Sequence, residues 1–138
     1  MIELIVVISL MGIMASLAMM RSTDRVALHE KGFRDQLAGM LRHARKLAIS
    51  QQRDVCVLLA PTVASGVYTS GAGCNPAAPM AEPGSSTPFV VAVPIGVALG
   101  GPALVRFNNI GQPVPNADQV ISVGTQVFTV SRETGIVF

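Results

Sequence analysis

Few side chains in this sequence have a type and spacing that could do chemistry, and the sharpest is Glu3. It is the single charged residue between Met1 and Met20, and the next charge is Arg21. A carboxylate in a bilayer core costs about 2.5–3.5 kcal/mol at the centre and less near an end. Glu3 therefore calls for a cationic partner, or else for a headgroup-level position modestly favoured by a helix dipole. Cys56 and Cys74 come next, 18 positions apart in a Gly/Pro/Ala-rich setting. No C-x-x-C accompanies them. His29 and His43 lie upstream and, on one helix, would stand about 21 Å apart, too far for shared chelation. No metal and no cofactor is expected, and the cysteines read as one disulfide or as two unrelated thiols. Catalytic signatures are missing too: there is no G-x-S-x-G, no P-loop and no paired-carboxylate arrangement. The sequence does not read as an enzyme.

The elements that must position these residues follow from composition and periodicity. With 138 residues the chain has room for one small domain. Charged residues make up 13%, about half the usual share of about 25%, and the deficit is concentrated at the start. Residues 1–20 are apolar all round and, as a helix, would be about 30 Å long, the thickness of a bilayer core. A removable signal peptide would have a basic n-region, a shorter apolar core and a small-residue cleavage site. Here no basic residue precedes the run, which leads straight into more helical sequence. Gly12 and Ser16 form a small-xxx-small pair that allows close helix approach. With a membrane segment ahead of the cysteines, an oxidising periplasm is expected, and with it a disulfide.

From about Arg25 the pattern turns amphipathic. Val26, Phe33, Leu37, Met40, Leu41, Ala44, Leu47 and Ala48 recur at three- and four-residue steps, with Arg34, Asp35, Arg42, Arg45 and Lys46 between them. The first 53 residues thus read as one long helix in two regimes, pliant at Gly32 and Gly39, its amphipathic stripe packed on a sheet of the same domain. Strand patterns follow at Val55–Leu59, Val67–Thr69, Phe89–Val93, Ala103–Phe107, Val120–Val123, Gln126–Val130 and Ile136–Phe138. Residues 70–88 read as loop, and residues 131–135 as the turn of a hairpin. The expected organisation is a membrane or filament-core helix over 1–20, an amphipathic continuation over 21–54 and a β-rich head over 55–138. The fold class is α+β, a long N-terminal helix packed on about six short, mostly antiparallel strands.

Met1-Ile2-Glu3-Leu4-Ile5-Val6-Val7-Ile8 resembles the N-terminus of mature type IV pilins and type II secretion pseudopilins. In that family a prepilin peptidase cuts after a glycine, leaving a phenylalanine and a short segment before an I/L-E-L motif. Met1 aligns with the third mature residue, so an upstream basic leader ending in glycine, a phenylalanine and one further residue are expected. Leu37, Leu41, Ala44-Arg45, Ala48-Ile49 and Val55-Cys56-Val57-Leu58 narrow the resemblance to FimT/GspH-like minor pilins. Phe107 to Gly111 and Val130-Ser131 to Thr134-Gly135 look like that family's later motifs, while 70–88 is unmatched. The resemblance implies a structural subunit in the inner membrane with a periplasmic head, assembling with other pilin or pseudopilin subunits into a type IV pilus or type II secretion pseudopilus. It also implies N-terminal methylation, and it gives Glu3 a role, pairing with the N-terminal amine of a neighbouring subunit.

The sequence departs from the family in two places. No proline follows the apolar run, which ends Ala18-Met19-Met20-Arg21. Nor does an arginine follow Gly135, where some FimT-like pilins that bind DNA carry a basic motif; the chain closes Ile136-Val137-Phe138. Eight of the ten Lys and Arg lie between Arg21 and Arg53, leaving Arg106 and Arg132 against Glu82, Asp118 and Glu133 beyond Val55. Nucleic acid is therefore not expected as a partner, and an adhesive or DNA-receiving pilin is the alternative reading. The basic residues after the apolar run would, by the positive-inside rule alone, put the head in the cytoplasm. The periplasmic assignment rests on the resemblance.

Overall fold

The computed structural model describes residues 2–20, 25–71 and 73–138. Two helices open it, α1 (Ile2–Met20) and α2 (Arg25–Ser50). The expected junction between the two regimes falls on residues 21–24, outside the described residues. Proline is absent from both helices, and Gly32 and Gly39 of α2 face open space, with nothing within 4 Å of where a Cβ would stand. The helix stops through its own backbone. Gln52 takes a left-handed φ of 52°, Arg53 N–H donates to Ala48 C=O at 3.2 Å, and Gln52 N–H donates to Ile49 C=O at 3.4 Å. This is a Schellman closure with glutamine where glycine is usual.

Among the described residues nine strands follow: β1 (Val55–Leu59), β2 (Val63–Ser70), β3 (Gly73–Pro79), β4 (Val90–Ala92), β5 (Leu99–Gly100), β6 (Leu104–Phe107), β7 (Pro113–Val114), β8 (Gln119–Val123) and β9 (Gln126–Val130). The larger sheet runs β3-β2-β1-β6-β7, with β4 against the other half of the same edge of β2; the smaller runs β5-β8-β9. Every strand pairing among the described residues is antiparallel.

Helix α2 joins the two sheets into one core. Phe33, Leu37, Ala38, Met40, Leu41, Ala44 and Ala48 are buried on its inner face, against Val55, Val57, Val105 and Phe107 of the larger sheet and Ile121, Val123, Phe128 and Val130 of the smaller. Each large side chain so buried contributes about 1.5–3 kcal/mol relative to exposure. From Phe33 to Ala48 the stripe expected from the sequence packs on the chain's own sheets, with Leu47 partly buried at its margin; the side chain of Val26 lies outside the described residues.

Three expectations need correction. Residues 70–88 are not all loop, since they contain β3. Among the described residues the strand count exceeds six because β3, and β5 and β7 at two residues each, were not anticipated. Ile136–Phe138 forms no full strand but a bridge from Val137 to Val130, flanked by mutual backbone bonds between Phe138 and Thr129. The expected turn over 131–135 does close this return, with Gly135 at φ 67°.

Candidate functional site

The candidate site is the N-terminal helix, together with the part of the head that carries it. Glu3 lies in the first turn of α1 and is exposed. No salt bridge among the described residues involves it. The described large apolar side chains of α1, Ile2 through Met14, are between 47% and 80% exposed. They form a continuous apolar surface around the helix that its own head leaves uncovered. Gly12 has nothing within 4 Å of a built Cβ. Ser16, one turn on, donates its hydroxyl to Ile13 C=O at 2.8 Å, as Ser9 does to Ile5 C=O at 2.7 Å. Both hydroxyls are satisfied within the helix and add no polar demand to its surface. Among the described residues no helix is long and apolar enough to cross a membrane. Side chains of α1 are described only as far as Ser16, and Ile2 to Ser16 rises only about 22 Å; the span expected over 1–20 runs beyond them.

In the head, Cys56 and Cys74 form a disulfide with Cα atoms 5.9 Å apart. It ties the buried centre of β1 to the start of β3, across the intervening β2. The histidines are far from any shared site. His43 Nε2 stands 3.2 Å from Ala81 C=O, and its ring meets Phe89 edge-on at a centroid distance of 6.0 Å. His29 is exposed. Among the described residues no group of three or more His, Cys, Asp or Glu side chains is placed to hold a metal ion.

The structure also assembles clusters that sequence reasoning missed. Glu30 is the buried charged residue of the core, 8% exposed. Its carboxylate accepts from Thr125 N–H at 3.2 Å and Thr125 Oγ1–H at 2.8 Å, binding the first part of α2 to the β8–β9 turn. Asp54 accepts from Arg106 Nε–H at 2.8 Å and from a second guanidinium N–H, joining the entry of β1 to β6. Arg53 lies over the Tyr68 ring at 3.5 Å, while the Tyr68 hydroxyl accepts from Gln51 Nε2–H at 3.3 Å. These contacts span up to 95 residues, and no local pattern marks them. An acidic residue on an otherwise apolar helix face was the available signal for Glu30.

No family model and no curated protein matches the sequence. Among solved structures, two crystal forms of the type IV minor pilin FimU of Pseudomonas aeruginosa are similar. One has a TM-score of 0.60 at 14% identity over 78% of this chain and 85% of that one. The other has a TM-score of 0.59 at 15% identity over 78% and 90%. The chain has the type IV minor pilin fold. The shared architecture is the helix laid across antiparallel strands, and the exposed apolar α1 stands at the N-terminal end of this pilin-like head.

Proposed function

We propose that this chain is a structural minor pilin or pseudopilin subunit. It is held in the inner membrane by its N-terminal helix with the head in the periplasm, and assembles through that helix into a type IV pilus or type II secretion pseudopilus. The observation that carries the reading is the contrast between the two helices. One face of α2 is buried in its own core, whereas α1 exposes apolar side chains all round, a surface that only lipid or other helices satisfy. The minor-pilin fold of the head supports it. Glu3 then serves as the charge that draws an incoming subunit into register on a neighbour's N-terminal amine, and Gly12 and Ser16 allow close helix approach. Other pilin or pseudopilin subunits, the membrane and a prepilin peptidase are the partners, and no catalytic role is assigned.

Glu3→Leu tests this directly. The substitution keeps the helix apolar, so the protein stays in the membrane, while the charge that positions it is gone. Sheared filaments should lack the variant, with membrane levels unchanged. Recovery of Glu3→Leu in filaments at wild-type levels would remove Glu3 from assembly. The adhesive or DNA-receiving alternative gains no support from the head, because Arg106 is engaged by Asp54 and Arg132 has Glu133 at 3.8 Å.

A further inference from the structure

A groove of about 580 Å³ runs between α2 and β4, lined by Gln36 and Gly39 on the helix and by Glu82, Pro83 and the segment Phe89 to Ala92 on the sheet side. Its size falls within the range of about 300–1,000 Å³ typical of binding clefts. Of its lining, Phe89 is held by His43, whose ring meets it edge-on and whose Nε2 stands 3.2 Å from Ala81 C=O. Gly39 widens it, since a side chain there would enter open space.

One wall of this groove is an open strand edge. Strand β4 pairs only with β2, matching Ser65 with Val90, Ala64 with Val91 and Val63 with Ala92. Just outside the strand, Gly66 N–H donates to Phe89 C=O and Val93 N–H to Thr62 C=O. Phe89 N–H donates instead to Met80 C=O; antiparallel pairs alternate between bonded and non-bonded, so Phe89 C=O, Val91 and Val93 N–H turn toward β2. The N–H and C=O groups of Val90 and Ala92 therefore point away from it, and no strand pairs with them among the described residues. Pro88 and Pro94 bracket this edge, limiting an added strand to about five residues, or about 17 Å.

We propose that the groove takes an extended peptide segment of a partner protein as an added strand on β4. Backbone bonds to Val90 and Ala92 would supply affinity, and small or apolar side chains would lie over Gly39 and Val90. Glu82 is the one ionisable side chain lining the groove and is exposed, so the segment carries a lysine or arginine opposite it. This surface lies on the head, apart from α1, and does not depend on the assembly role proposed above.

Selection of displayed random heptapeptides on the full chain in detergent micelles is the test, with counter-selection on Gly39→Leu. That variant fills the groove and favours the helix. Enriched peptides should alternate small or apolar residues and carry a cation near one end. They should shift the amide resonances of Val90 and Ala92, and lose about fivefold to tenfold in affinity on Ala92→Pro, the size of one lost hydrogen bond. Proline is tolerated at an edge position whose N–H points outward. Glu82→Lys should reverse the preference for cationic peptides. Failure to enrich any peptide over the Gly39→Leu control would overturn the proposal, as would enriched peptides that bind Ala92→Pro and Glu82→Lys unchanged. Self-association abolished by Gly39→Leu, without peptide enrichment, would replace the partner by a second copy and overturn the assigned occupant. None of these outcomes bears on whether Glu3→Leu enters filaments, so the two proposals fail separately.

Discussion

Glu30 shows how one side chain holds distant parts of the head together. Its carboxylate is buried and takes both donors of Thr125, and the adjoining Gly124 has a φ of 56°. A Cβ on Gly124 would also collide with a Glu30 carboxylate oxygen. Glu30→Ala removes two hydrogen bonds made by the exposed Thr125 to a buried carboxylate and should cost about 1–3 kcal/mol, read from urea midpoints of the full chain in micelles. Glu30→Gln keeps a carbonyl acceptor and should cost less. Gly124→Ala combines a strained φ with a collision and should destabilise by about 1 kcal/mol or more. An unchanged midpoint for Glu30→Ala would mean that the turn is held by Gly124 N–H on Ala98 C=O alone. Asp54 and Arg106 are about a quarter exposed, so their pairing is partly screened by solvent. Asp54→Ala should nonetheless unsettle the entry to β1 more than an exposed ion pair would, because the carboxylate accepts two guanidinium bonds and the backbone of the same residue accepts the Thr69 hydroxyl at 2.9 Å.

Among the elements, β3 depends most on a covalent tie. It carries Pro76 and Pro79 and is mostly exposed, and its ladder with β2 is broken by a register shift. The Cys56–Cys74 bond anchors it to the buried β1. In the chain-entropy model a loop of this length is worth about 3 kcal/mol. Reduction, or paired Cys56→Ser and Cys74→Ser substitution, should lower the unfolding free energy by about that amount, and amide exchange should accelerate first in residues 73–79. Uniform acceleration across the head would mean that the bond stabilises the core rather than the strand. The same strand shows where the sequence was legible and where it was not. Buried strands such as β1 and β9 announce themselves through apolar β-branched runs, and the bounds read for both, Val55–Leu59 and Gln126–Val130, are those observed. The amphipathic stripe of α2 was readable for the same reason. The three unanticipated strands, β3, β5 and β7, all lie at sheet edges. An edge needs half the hydrogen bonds, tolerates proline and buries little, so neither composition nor alternation marks it. The groove beside β4 was invisible for a related cause, because it is made by an absent side chain at Gly39 and by residues 82–83 of a segment that read as loop. The pairing of the cysteines was legible, whereas Glu30 and Thr125, 95 residues apart, left no local trace of their meeting.

For the molecule as a whole, charge is divided between the helix and the head, and the fold reduces what the head could offer to a polyanion. Arg106 is occupied by Asp54, Arg53 lies on Tyr68, and Arg42 donates to Val137 C=O at 3.3 Å. Phosphate binding draws on clustered, available cations. In gel-shift titration at about 150 mM salt the full chain in micelles should bind duplex DNA no more tightly than the nonspecific range of about 10⁻⁴–10⁻⁶ M. Arg132→Ala should make no difference, and Arg106→Ala should lower stability without changing DNA affinity. Tight binding lost on Arg132→Ala would favour the DNA-receiving pilin instead. The Arg53–Tyr68 contact has one more consequence, of an optical kind. The chain has no tryptophan and one tyrosine, so all of its emission excited near the red edge of protein absorption comes from a single phenol. That phenol sits where the end of α2 meets the β1–β2 ladder, beneath a guanidinium and bonded to Gln51. Intrinsic fluorescence of this protein is thus a reporter of one joint, silent to events at α1 or in the smaller sheet until the helix lifts from the strands.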